Sequence, residues 1–119
     1  MEGAETIHDE DIRAVVRALL DQGDFLGKQE LLAQIEGLTY VDGPVDWLHL
    51  IVNRRCPASA AESPVPIMPT VLDEAGEPYG GLLLWLDAEG YIDYLEYFWI
   101  FGDIPPTRLQ SPDQIVKGP

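Results

Sequence analysis

The chain predicts an α+β domain: two N-terminal helices packed on a four-stranded antiparallel meander, closed by an extended proline-rich tail. Three observations carry this. Apolar residues recur at helical period near the N-terminus. Two long apolar runs, Tyr79-Gly80-Gly81-Leu82-Leu83-Leu84-Trp85-Leu86 and Tyr91-Ile92-Asp93-Tyr94-Leu95-Glu96-Tyr97-Phe98-Trp99-Ile100, flank the short turn Asp87-Ala88-Glu89-Gly90. Such runs around an acidic turn ending in Gly read as a β-hairpin. Helical patterns precede strand patterns without alternating with them, which is the order of an α+β domain.

The first helix is expected over about 9–22. Ile12, Val15, Val16, Leu19 and Leu20 fall at i, i+3, i+4, i+7 and i+8. Asp9, Glu10 and Asp11 suit the positive end of a helix dipole, Thr6 and Asp9 have the spacing of a capping box, and Gly23 is the candidate stop. A second helix is expected over about 28–36, with Leu31, Leu32 and Ile35 on one face and Gly37 at its end. The short connection makes the two a helical hairpin. Asp42-Gly43-Pro44 reads as a turn, and 46–53 as a strand with Leu48, Leu50 and Val52 on one face and Trp47, His49 and Ile51 on the other. Residues 54–64, rich in Ala, Ser and Pro, are the expected mobile loop. Pro66 and Pro69 restrict the next apolar run to an edge strand, or to its 70–72 half, within a predicted strand 69–73. Residues 73–78 form a turn, and strands over 79–87 and 91–100 follow as the hairpin. Beyond Gly102, Pro105, Pro106 and Pro112 predict an extended tail. The single domain thus divides into a helical part (1–37), a sheet (38–101) and a tail (102–119).

At 119 residues and 46% hydrophobic the chain can bury a core of its own, roughly two-thirds of its unfolded surface. No apolar run approaches the ~20 residues of a membrane helix. The acidic start, Met1-Glu2-Gly3-Ala4-Glu5, lacks the basic and apolar parts of a signal peptide, so a cytoplasmic location is expected. The formal net charge is −14, spread over both halves. Seven Lys and Arg against 21 Asp and Glu argue against direct contact with nucleic acid or anionic membranes. Cys56 is the only cysteine, which excludes an internal disulfide and a thiolate cluster.

The C-terminal third resembles the closing segment of a family of small, acidic, uncharacterised bacterial proteins. Members carry a D-x-x-G-x-P turn, a GxLLxW strand, a Gx(I/L)xxLEYxW strand and a PTxLPxPDxI tail. The corresponding parts are 73–78, 81–85, 90–99 and 106–115, including Leu95-Glu96-Tyr97-Phe98-Trp99 and Pro105-Pro106-Thr107. The chain departs from the pattern at 100–104, around Phe101. The resemblance implies the fold and brings no catalytic residue with it.

Asp93 and Glu96 are the carboxylates to weigh first. Three apart in a strand, they point to opposite faces unless a bulge intervenes. An acid near the core would need a partner such as Arg13, Arg17 or a tyrosine hydroxyl. His8 and His49 have no ligand at metal spacing. Cys56 follows Arg54-Arg55 and has no positioned base in sequence. Gly80-Gly81 makes no phosphate loop, and no nucleophile elbow is present. No catalytic, cofactor or metal residue is assigned.

The remaining candidate is an aromatic face. Trp47, Trp85, Tyr91, Tyr97 and Trp99 could cluster on the side of the sheet that the helices leave open, unless the tail covers it. Tryptophan and tyrosine beside carboxylates suit a basic protein partner. The expected contact residues are Trp85, Asp87, Glu89, Asp93 and Trp99. The expected function is that of a non-enzymatic acidic binding module, such as an immunity or inhibitor protein neutralising a basic toxin or nuclease. The alternative is a small enzyme or small-molecule-binding domain whose pocket uses tyrosines with Asp93 or Glu96.

Overall fold

The structure, a computed structural model, describes residues 7–99 and 109–118. Thr6, Ile100 and the tail from 100 to 108 lie outside the described residues, as does position 119. Helix α1 spans Asp9–Leu20 and α2 spans Lys28–Gln34, extended by one 3-10 turn over Ile35–Gly37. The strands are β1 (Leu38–Asp42), β2 (Trp47–Val52), β3 (Thr70–Leu72), β4 (Pro78–Leu86), β5 (Ile92–Trp99) and β6 (Ile115–Val116).

The α+β class holds, but the four-stranded meander does not. Among the described residues six strands form one antiparallel sheet in the order β1-β2-β5-β4-β3-β6. Two strands were not anticipated. Leu38-Thr39-Tyr40-Val41-Asp42 is short, and it pairs with β2 across a turn in which Gly43 sits at φ 101°. The described end of the predicted extended tail instead makes a 3-10 turn at Pro112–Gln114, then β6 against β3. The meander order fails because 53–69 is too long for a hairpin. It carries the chain across the domain, so β3 adds to the far side of β4, and β2 pairs with β5 instead.

The loop expected to be mobile makes long-range hydrogen bonds at Ser59, and Val65 just beyond it makes another. Ser59 N–H donates to the Gly90 carbonyl at 2.9 Å, Ser59 Oγ–H to Gly27 at 2.8 Å, and Val65 N–H to Leu84 at 2.8 Å. The start of α1 differs from the expectation in one detail. His8 is the N-cap, without a side-chain cap, and the Asp9 carboxylate accepts the Tyr40 N–H at 2.9 Å instead of serving the helix end. Helix α1 also stops at Leu20, before Gly23.

The core lies between the helices and one face of the sheet. Ile12, Val15, Val16, Leu19 and Leu20 of α1, with Leu31 and Ile35, pack on Leu48, Leu50, Leu84 and Leu95. The strand alternation is legible in β4, where Leu82, Leu84 and Leu86 are buried and Leu83 and Trp85 are half-buried. Both turns that follow a D-x-x-G pattern are built alike. Asp73 and Asp87 each accept two backbone N–H groups through one carboxylate oxygen, and Gly76 and Gly90 supply the positive φ. At Gly90 a Cβ would also meet the Ser59 backbone, so the turn is packed as well as bent.

Candidate functional site

The sheet face opposite the helices is where aromatic and acidic side chains meet. In β2, Trp47, His49 and Ile51 alternate with buried Leu48, Leu50 and Val52, so all three point outward. Register sets Trp47 opposite Glu96 and His49 opposite Tyr94 on β5, while Trp85 of β4 lies opposite Tyr94 from the other side. The rings form a continuous stripe. Trp85 lies 6.4 Å from Trp47, Trp47 stacks on Tyr94 at 5.0 Å, and Tyr94 stacks on His49 at 4.8 Å. Trp47 and Ile51 are 39% and 53% exposed, so no described element covers this part of the face.

Carboxylates line the stripe. The Trp85 indole N–H donates to Glu96 Oε1 at 3.0 Å. His49 stands between two acids, with Nδ1 3.3 Å from Asp42 and Nε2 3.7 Å from Asp93. Asp93 reaches this face because β5 carries a bulge. Leu86 pairs with Ile92 and Trp85 with Tyr94, which leaves Asp93 as the extra residue. The bulge turns Ile92 inward together with Leu95, and it puts Asp93 and Glu96 on the same side of the sheet, contrary to the simple alternation of a strand.

The five expected contact residues are not brought together as a set. Trp85 and Asp93 belong to the stripe. Trp99 pairs with Gly80 and shares the face of Leu95 and Tyr97, so the sheet separates it from Trp85. Tyr97 is itself buried at 5% exposure. Asp87 and Glu89 sit in the β4–β5 turn, where Arg54 pairs with Asp87 at 2.8 Å and with Glu89 at 3.7 Å. Burial pushes the Asp87 carboxyl up, but the Tyr91 N–H, the Arg54 guanidinium and the Glu89 N–H outweigh it and hold its pKa below the ordinary carboxylate value. Tyr91 donates its hydroxyl to the Cys56 carbonyl at 3.0 Å and carries Arg54 over its ring at 4.0 Å. That corner is internally satisfied.

Sequence reading did not assign Trp47, His49, Tyr94, Glu96 or Asp42 as contact residues. The outward alternation of Trp47 and His49 was visible, but their neighbours depend on β2 lying beside β5 and on the bulge. Arg13, considered as a partner for a strand carboxylate, donates its Nε–H to the Leu38 carbonyl at 2.9 Å.

Two grooves are found among the described residues. One, of about 390 Å³, runs between the 73–76 turn and Ser111, Asp113 and Gln114. The other, of about 560 Å³, is lined by Arg13, Glu36, Thr39, Ile51, Asn53 and Arg54. Among the described residues no group of three or more His, Cys, Asp or Glu side chains is placed to hold a metal ion, and no helix is long and apolar enough to cross a membrane. Comparison of the chain with protein-family models, with curated proteins and with solved structures finds no match in any of the three.

Proposed function

We propose that the protein is a non-enzymatic acidic binding module whose open sheet face receives a basic protein. Neutralising a basic toxin or nuclease, as an immunity or inhibitor protein does, is the role this chemistry suits. The observation that carries the reading is the stripe Trp85–Trp47–Tyr94–His49, part-exposed and lined by Asp42, Asp93 and Glu96. Rigid aromatic rings supply apolar contact area at small entropic cost, and the carboxylates supply complementarity to a cationic surface. A second copy of the chain is a poor occupant, because each copy brings a net charge of −14.

The alternative of a small enzyme with a tyrosine and carboxylate pocket has less support. Asp93 and Glu96 line neither of the two grooves found among the described residues, and both are engaged on the open face, with His49 and Trp85. The test is a pull-down with the tagged full chain at low salt, followed by titration of whatever basic protein is retained. Affinity should fall as NaCl rises, and Trp47→Ala should speed dissociation. A partner bound equally well at low and high salt, or bound unchanged by Trp47→Ala, overturns the reading.

A further inference from the structure

We infer that the side chain this face takes from a basic partner is an arginine, its guanidinium laid on the Trp47 ring and paired with Glu96. This rests on the proposed reading of the face and adds the chemistry of the contact. Trp47 and Glu96 are direct cross-strand partners, so ring and carboxylate project side by side from the same face. The Trp85 N–H holds Glu96 Oε1 and thereby orients the carboxylate. Among the described residues no Lys or Arg side chain pairs with Glu96. The described ion pairs of Arg54 are made with Asp87 and Glu89, and that of Lys28 with Asp24. Trp47 is held from behind by its stack on Tyr94 and keeps 39% of its surface open. Trp85, tilted 55° to Trp47, makes the second wall.

An ordered ring beside an oriented carboxylate that no described Lys or Arg pairs with is the arrangement that separates arginine from lysine. A guanidinium is planar and weakly hydrated. It stacks on an indole while its edge forms parallel hydrogen bonds to a carboxylate. An ammonium is compact and strongly hydrated, and an open face does not strip its water. Asp93, set on the same face by the bulge, adds negative charge along the approach.

The experiment uses the full chain and two probes, an arginine homopeptide and a lysine homopeptide of equal length, titrated at low salt with tryptophan fluorescence as the readout. The arginine peptide should bind roughly two- to fivefold tighter, the factor that one cation–π contact at an exposed site contributes. Trp47→Ala should abolish that preference. Glu96→Gln, which keeps an acceptor for the Trp85 N–H, should abolish it as well. Glu10→Gln, which removes one charge from the exposed start of α1, should preserve it. Circular dichroism establishes that each variant is folded. Equal affinity for the two peptides, or a preference that survives both face variants, overturns the arginine assignment and leaves a generic basic partner standing. Binding of neither peptide overturns the assignment and the reading of the face together. A chain that sediments as a dimer at low salt and ignores both peptides identifies a second copy as the occupant and does the same.

Discussion

Gln34 is fully buried and uses its whole amide. Its Nε2–H groups donate to the Pro57 and Gly90 carbonyls at 2.8 and 2.9 Å, and its Oε1 accepts the Ile92 N–H at 2.9 Å. One side chain thus joins α2, the 53–64 loop and the start of β5. Gln34→Ala strands buried backbone groups at a cost of about 1–3 kcal/mol each, so urea titration should show a loss of at least ~2 kcal/mol. A smaller loss would mean that water replaces the amide. Tyr97 is a second residue with a measurable signature. Burial raises its phenol from 10.0 to about 12, and negative charge at Tyr79 and Asp73 adds to the effect. The folded-state value is raised, so the fold favours the neutral phenol. Stability is intact below the unfolded value near pH 10 and falls as pH rises towards about 12. Absorbance titration of the phenolates should show one of the five tyrosines ionising last, and Tyr97→Phe should remove that late step. Its persistence would place the shifted phenol elsewhere.

At the scale of the element, β1 is an edge strand of the sheet, and α1 occupies backbone groups that it turns outward. Leu38 and Tyr40 turn their backbone groups away from β2. Asp9 accepts the Tyr40 N–H and Arg13 donates to the Leu38 carbonyl, both at 2.9 Å, from successive turns of one helix face. Occupied edge groups cannot template a further strand. The variant carrying Asp9→Ala and Arg13→Ala should therefore self-associate more than the parent chain in sedimentation velocity. Equal sedimentation would show that the edge needs no cover. The opposite stripe of α1 sets its contribution to the core. Leu19 has no exposed surface, and Leu19→Ala should cost on the order of 2–5 kcal/mol. A loss below about 0.5 kcal/mol would mean that the neighbouring side chains collapse into the space, against the tight packing of such cores.

The whole molecule carries far more acid than it can pair internally. Seven Lys and Arg face 21 Asp and Glu, and several cations serve backbone carbonyls or the turn at Asp87, as Arg13, Lys28 and Arg54 do. The folded state therefore works against its own charge, a repulsion that falls as ions shorten the screening length from about 30 Å at 0.01 M to about 8 Å at 0.15 M. The urea midpoint should rise between those two NaCl concentrations. A midpoint that falls would mean that attractive pairs, such as Arg54 with Asp87, outweigh the repulsion. The same charge that costs stability is what the proposed docking of a cationic surface on the aromatic face would draw on.

The sequence by itself determined the class of the fold, the helical stripe of α1, the hairpin of β4 and β5, and both D-x-x-G turns. Each is written in local periodicity or in a residue that must take positive φ, so a neighbouring stretch of chain suffices to read it. The acidic character was equally plain. What only the tertiary structure decided was which strands lie side by side and which way one irregular residue faces. Nothing local in Trp47 or Tyr94 says that β2 and β5 are neighbours, because the order depends on the path of the 53–69 loop and on the shared core. The bulge at Asp93 arises from matching Ile92 and Leu95, three apart, to one buried face; strict alternation predicts the opposite side for Asp93. Trp99 shows the converse. It stands in the same aromatic run as Tyr94, yet its position in the register puts it on the helix side of the sheet. Composition supplied the ingredients of the candidate site, and register chose which of them meet.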